Sequence, residues 1–186
     1  MVNEVRSVFF KHNHITATNP MKALILATAF LSLTFATQAF AEDIEHTDRI
    51  YFAVGHYDIL EDTDAAFDFR AEYRFGTPVW IDHLKPWIGA EITSDTSAWA
   101  GGGLLYDWNF APDWYLTPMF GVGLYAQGSS DLDLDHPIQF RSQLEASYEY
   151  NSGVRAGLAF SHISNAGISD DNVGTEVLNL SVSYPF

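Results

Sequence analysis

The chain has 186 residues, no cysteine and a formal net charge of −15. That length suits one domain with an appendage. The missing cysteines exclude disulfides, a thiolate metal site and a cysteine nucleophile, and so acidic a chain lacks the basic face that nucleic acid requires. Aromatic residues make up 15% of the chain, too many for a disordered one.

The first element is an address. Met21-Lys22 opens a basic point, an apolar run follows from Ala23 to Phe35, and Ala39-Phe40-Ala41 supplies a small-residue cleavage pattern. Residues 1–41 are expected to be a signal peptide, with Met21 as an alternative start. The remaining 42–186 keep six Lys/Arg against 23 Asp/Glu, a net charge of −17. They hold no apolar run near 18 residues, so no membrane helix is predicted there.

From residue 48 onward the apolar residues alternate instead of following a helical period. Eight segments are predicted: 48–58, 64–75, 84–94, 97–109, 113–127, 137–150, 153–164 and 174–186. In the second, Phe67, Phe69, Ala71, Tyr73 and Phe75 share one face, and Asp68, Arg70, Glu72 and Arg74 share the other. The sixth sets Phe140, Leu144, Ala146 and Tyr148 against Arg141, Gln143, Glu145 and Glu149. The last sets Leu178, Leu180, Val182, Tyr184 and Phe186 against Asn179, Ser181 and Ser183. Segments of this length exceed the soluble norm of about 5–6 residues and suit membrane strands of about 9–11. The polar faces carry both charge signs and can pair in a narrow lumen. Arg70, Arg74, Arg141 and Arg155 are expected to pair with Asp68, Glu72, Glu145 and Glu149. The apolar faces carry aromatics near the strand ends, as the girdles of a membrane barrel do. The expected fold is therefore all-β, an eight-stranded antiparallel up-and-down transmembrane barrel filling 42–186, with side chains plugging its interior. Gly101-Gly102-Gly103 marks a kink or a close approach within it. A terminal Phe on an amphipathic last strand resembles the assembly signal of Gram-negative outer-membrane proteins. The periplasmic β-sandwich is the competing architecture.

With both termini on the inner side, the loops 58–64, 94–97, 128–136 and 165–173 share the opposite end. Asp131-x-Asp-x-Asp135 lacks the Gly and the distal Glu of a calcium loop. His46, His56, His83 and His136 show no ligand spacing, and no metal site is predicted.

The chemistry points to the last hairpin. In Val154–Ser164, His162 and Ser164 share parity with Leu158 and Phe160, the lipid-facing side. Across the loop, Glu176 is in phase with Leu178 and Leu180. An ionisable residue facing lipid is costly and is tolerated best near the interface. A hairpin in which Ser164 faces Glu176 and His162 faces Leu178 would bring a nucleophile, a base and an orienting carboxylate within reach of one another. That is the logic of a Ser-His-acid triad. The competing reading makes the three ordinary interfacial polar residues of a non-enzymatic barrel, an adhesin or a structural protein.

Phe160-Ser161-His162-Ile163-Ser164-Asn165-Ala166-Gly167-Ile168, with Glu176 twelve residues after Ser164, resembles the active-site hairpin of the PagL outer-membrane lipid A 3-O-deacylase family. The resemblance covers about 20 residues. It implies hydrolysis of the ester-linked 3-hydroxyacyl chain at position 3 of lipid A, with Ser164 as nucleophile, His162 as base and Glu176 as its orienting acid. It implies oxyanion donors among Asn165, Gly167 and, as a weaker candidate, Asn172. No cofactor is needed for this chemistry. The implied partners are lipid A or lipopolysaccharide as substrate and the outer membrane as setting, with the site toward the outer leaflet. A homodimer stays open as an assembly state.

Overall fold

The computed structural model describes residues 47–60 and 65–186; the predicted signal peptide lies outside them. Nine strand stretches follow one another: β1 Arg49–Tyr57, β2 Ala66–Arg74, β3 Leu84–Thr93, β4 Ala98–Tyr106, β5 Trp108–Ala111, β6 Trp114–Ala126, β7 Ile138–Glu149, β8 Arg155–Ser164 and β9 Gly174–Pro185. Both β4 and β5 pair with β6, and Leu105↔Met119 continues into Trp108↔Leu116 in the same register. They are one strand interrupted at Asp107, so the barrel has eight staves. Each stave pairs antiparallel with its neighbours, β4 meets β6, and β1 meets β9 to close the cylinder. Closure leaves no unpaired sheet edge, as a barrel in lipid requires.

Alternation decides which face goes where. Phe52, Val54, Phe67, Phe69, Leu144, Leu158, Phe160, Leu178 and Leu180 are exposed on the outer wall. Inward residues include Arg70, Glu72, Arg74, Glu91, Arg141 and Glu145, all buried. Arg74 pairs with Glu72 (3.1 Å) and Glu145 (2.8 Å), and Arg70 pairs with Glu91 (2.9 Å) and Asp68 (3.5 Å). Arg141 bridges Glu91 (2.8 Å) and Glu72. At the end that carries the termini, Arg155 joins Glu149 (2.7 Å) and Asp107 (2.8 Å). Glu91 and Asp107 are partners that the alternation alone did not single out.

Two tryptophans fill the middle of the lumen. Trp87 and Trp99 stack with ring centroids 6.0 Å apart, and the Arg141 guanidinium lies 4.5 Å from each ring. The glycines of β4 and β6 make room for them. A Cβ on Gly121 would stand 2.5 Å from Trp87, and one on Gly123 would stand 2.5 Å from Trp99. Gly101↔Gly123 and Gly103↔Gly121 are cross-strand pairs, so the glycine run marks a close approach and not a kink.

The inner rim is aromatic. Tyr73 packs edge-on against Phe75 and Phe186, and Tyr148 against Trp114 and Tyr150. Rings at this level suit the boundary between lipid and water. At the other end Leu132 and Leu134 turn inward onto Tyr57, Ile163 and Val177, capping the lumen with a small apolar cluster.

Candidate functional site

The three singled-out residues lie on the outer wall at the capped end, on neighbouring strands. Regular antiparallel pairing fixes their relation. The pairs are His162↔Glu176, Ile163↔Thr175 and Ser164↔Gly174. The sequence reading paired Ser164 with Glu176 and His162 with Leu178. The actual register is offset by two residues, because Ser164 and Gly174 directly flank the loop 165–173 and pair with each other. The shift of two preserves parity, so all three side chains stay on one face.

This register places the His162 ring beside the carboxylate. His162 Nδ1 lies 3.0 Å from Glu176 Oε1. With Nδ1–H donating, Nε2 is the nitrogen left to accept a proton. The two side chains are 34% and 20% exposed, and Ser164 is buried at 8% exposure. The pair is therefore partly exposed on the outer wall. No Ser164–His162 hydrogen bond is formed among the described residues. Such bonds are often long before substrate arrives. On the other side of the site, Phe140 is the cross-strand partner of Ser164 and Ser142 that of His162. Phe140 stacks on Phe120 at 6.0 Å, continuing the apolar wall away from the serine.

The loop after Ser164 is held by Asn165, which is fully buried. Its Nδ2 donates to Ser169 Oγ (2.7 Å), Asp171 O (2.9 Å) and Leu134 O (3.3 Å). Its Oδ1 accepts from Gly167 N (2.8 Å). Gly167 N also donates to Asn172 Oδ1 at 3.1 Å. Ala166 and Gly167 both have positive φ, 55° and 79°, so the chain turns sharply immediately past the serine. Of the three residues named as oxyanion donors, the Asn165 side-chain amide is spent on the loop and on Leu134 O, and Gly167 N–H on the loop. Asn172 is exposed and uses only its oxygen there. The bond from Asn165 to Leu134 ties this loop to the cap. That bracing role had no signal in the sequence, because it crosses 31 positions.

Among the described residues, no group of three or more His, Asp or Glu side chains is arranged to hold a metal ion.

Comparison with known proteins identifies the family and the fold. A family model described as lipid A 3-O-deacylase (PagL) matches residues 66–185. A curated relative, the lipid A deacylase PagL of Bordetella bronchiseptica, is 25% identical over 111 residues, covering 55% of this chain; the chain spans 62% of that relative's length. Among solved structures, the crystal structure of the outer membrane enzyme PagL superposes with a TM-score of 0.56 at 18% identity, covering 74% of this chain and 99% of the other. Neisserial surface protein A superposes with a TM-score of 0.51 at 14% identity, covering 75% and 96%. At these identities the structural matches show the fold alone, that of an outer-membrane β-barrel.

Proposed function

The chain belongs to the PagL lipid A 3-O-deacylase family, and from that premise we propose that it is a carboxylic ester hydrolase removing the 3-hydroxyacyl chain at position 3 of lipid A in the outer leaflet. The observation that carries the reading is the His162–Glu176 hydrogen bond of 3.0 Å on the lipid-facing wall, with Ser164 two residues along the same face. A hydrogen-bonded histidine and carboxylate have little reason to sit there unless they work on something in the membrane.

Ser164 Oγ attacks the ester carbonyl while His162 Nε2 takes its proton. Glu176, opposite on β9, holds the ring through Nδ1 and stabilises its charged form. The tetrahedral intermediate collapses by expelling the sugar alkoxide, which His162 protonates. Water then attacks the acyl-Ser164 ester, His162 again acting as base, and the free 3-hydroxy acid leaves. The developing oxyanion needs fixed donors. Asn172 is the readiest, since its amide nitrogen is uncommitted. Gly167 N–H joins when the substrate oxygen replaces Asn172 Oδ1, while Asn165 keeps the loop in shape. The acyl chain lies along the wall against Phe160, Leu158 and Leu178, which are exposed there.

Mass spectrometry of lipid A from an outer-membrane host tests this. Wild type should remove one ester-linked 3-hydroxyacyl chain, and a Ser164→Ala copy with equal folded barrel should leave lipid A intact. Unchanged lipid A with both copies returns the barrel to the adhesin or structural reading, and deacylation by both unseats Ser164.

A further inference from the structure

We propose that Gly174 is a positioning residue for the reaction: its missing side chain is the space in which the His162 imidazole lies to reach Ser164. The inference rests on the triad reading above. Gly174 is the cross-strand partner of Ser164, and Glu176, which binds His162 Nδ1, is two residues further along the same face of β9. The ring therefore spans from Glu176 toward Gly174. A Cβ built on Gly174 would stand 2.6 Å from His162 Cε1 and 3.2 Å from Nε2. Cε1 lies between the two ring nitrogens, and Nε2 is the one that must take the serine proton.

Backbone conformation does not call for a glycine here. The described glycines with positive φ are Gly153 and Gly167, so Gly174 has a conformation open to any residue. Its nearest backbone neighbour is Ile163 O, 3.1 Å from the built Cβ, tight but short of a clash. The imidazole at 2.6 Å cannot stay where it is, and as the free end of a side chain it is the group that gives way. An added methyl must turn the ring about its side-chain bonds, and that moves Nε2 away from Ser164 or Nδ1 away from Glu176. Either movement slows proton transfer without touching the acyl-binding wall.

The test is a pair of measurements on the folded barrel in detergent, with folding checked by the heat-dependent gel shift of closed barrels. The first is the rate at which a fluorophosphonate probe labels Ser164; the second is deacylation, with kcat and KM separated. Gly174→Ala should label at least tenfold more slowly and lose kcat by a similar factor, with KM within about twofold. In a His162→Ala background the same substitution should change labelling less than twofold, because the ring it displaces is gone. Equal losses in both backgrounds, or no loss in either, overturn the proposal. If Gly174→Ala fails to fold while the double variant folds, the clash with the ring is the cause and the proposal stands. If neither folds, the backbone demands the glycine and the proposal falls. Labelling of Ser164 without any lipid A product would sink the deacylase reading and leave this one standing. A wild type that takes no label on Ser164 would sink the triad and this inference with it.

Discussion

Replacing Arg141 with methionine should cost the barrel about 4 kcal/mol. The guanidinium bridges Glu72 and Glu91 in the buried lumen and lies 4.5 Å from the ring centres of both Trp87 and Trp99. Removing one partner of a buried ion pair typically costs about 3–5 kcal/mol, because the remaining charge is left unpaired. Here each carboxylate keeps another cation, Arg74 for Glu72 at 3.1 Å and Arg70 for Glu91 at 2.9 Å. That redundancy puts the ionic loss near the lower end, about 3 kcal/mol. Losing the cation over two indole faces adds about 1 kcal/mol. The methionine side chain refills most of the volume. With a urea slope of about 2 kcal/mol/M, the unfolding midpoint should fall by roughly 2 M. Equilibrium unfolding in lipid vesicles, followed by tryptophan fluorescence, gives the number. Leu144→Met, on the lipid face of the same strand, serves as the control. Adding Glu91→Gln to Arg141→Met should recover part of the loss, since it lowers the surplus of carboxylates that Arg70 and Arg74 are then left to balance. A loss of stability under about 1 kcal/mol (a midpoint change under about 0.5 M), or a double variant weaker than the single, would refute the account.

Glu176→Gln should keep the His162 contact but no longer stabilise a charged ring, lowering kcat by about 10²–10⁴-fold with the fold unchanged; steady-state deacylation measures it. Asn165→Leu removes the donor to Leu134 O, Ser169 Oγ and Asp171 O and the acceptor for Gly167 N. Leaving these buried or half-buried partners unsatisfied should cost about 2–3 kcal/mol and open the loop 165–173 to protease, read by the rate of cleavage there on intact vesicles. At the inner rim, hydrogen bonds from the Tyr73 hydroxyl and from Gly76 N–H (2.6 Å) hold the Asp48 carboxyl below its ordinary range. A depressed value means stability that is present above an unfolded pKa of about 3.9 and is lost as pH falls through the folded one. The midpoint difference between wild type and Asp48→Asn should therefore be constant at neutral pH and vanish in strong acid; a difference that persists there contradicts the assignment.

The staves were legible because lipid and lumen impose a period of two on every strand, and Phe67–Phe75 states it almost without interruption. Trp87 and Trp99 were less legible. Apolar rings usually belong to the lipid side, yet these two turn inward, where small glycines on β4 and β6 leave the lumen wide enough for indoles. For the same reason Glu91 and Asp107 escaped notice as ion partners, since their strands lack the simple charge alternation of β2 and β7. The candidate site was legible in its residue types and parity, because a His, a Ser and a Glu on the lipid face break the pattern. Its register was not, since the pairing depends on where the loop begins and ends. The bracing by Asn165 and the cap by Leu134 join segments far apart in the chain, and local spacing carries no trace of such contacts.

The half-exposed His162–Glu176 pair stands on a convex wall, and most enzymes keep such a pair in a pocket. A pocket encloses its substrate; a wall needs a second surface opposite, which on the proposed reading is the bilayer. A lipid arriving at Ser164 would never leave the leaflet, so encounter is a search in two dimensions at surface concentration. Diluting the protein in detergent would then change the apparent rate through the spacing of substrate per micelle, even where every side chain keeps its place. The solvent of this site is a sheet of the very molecules it is proposed to cut.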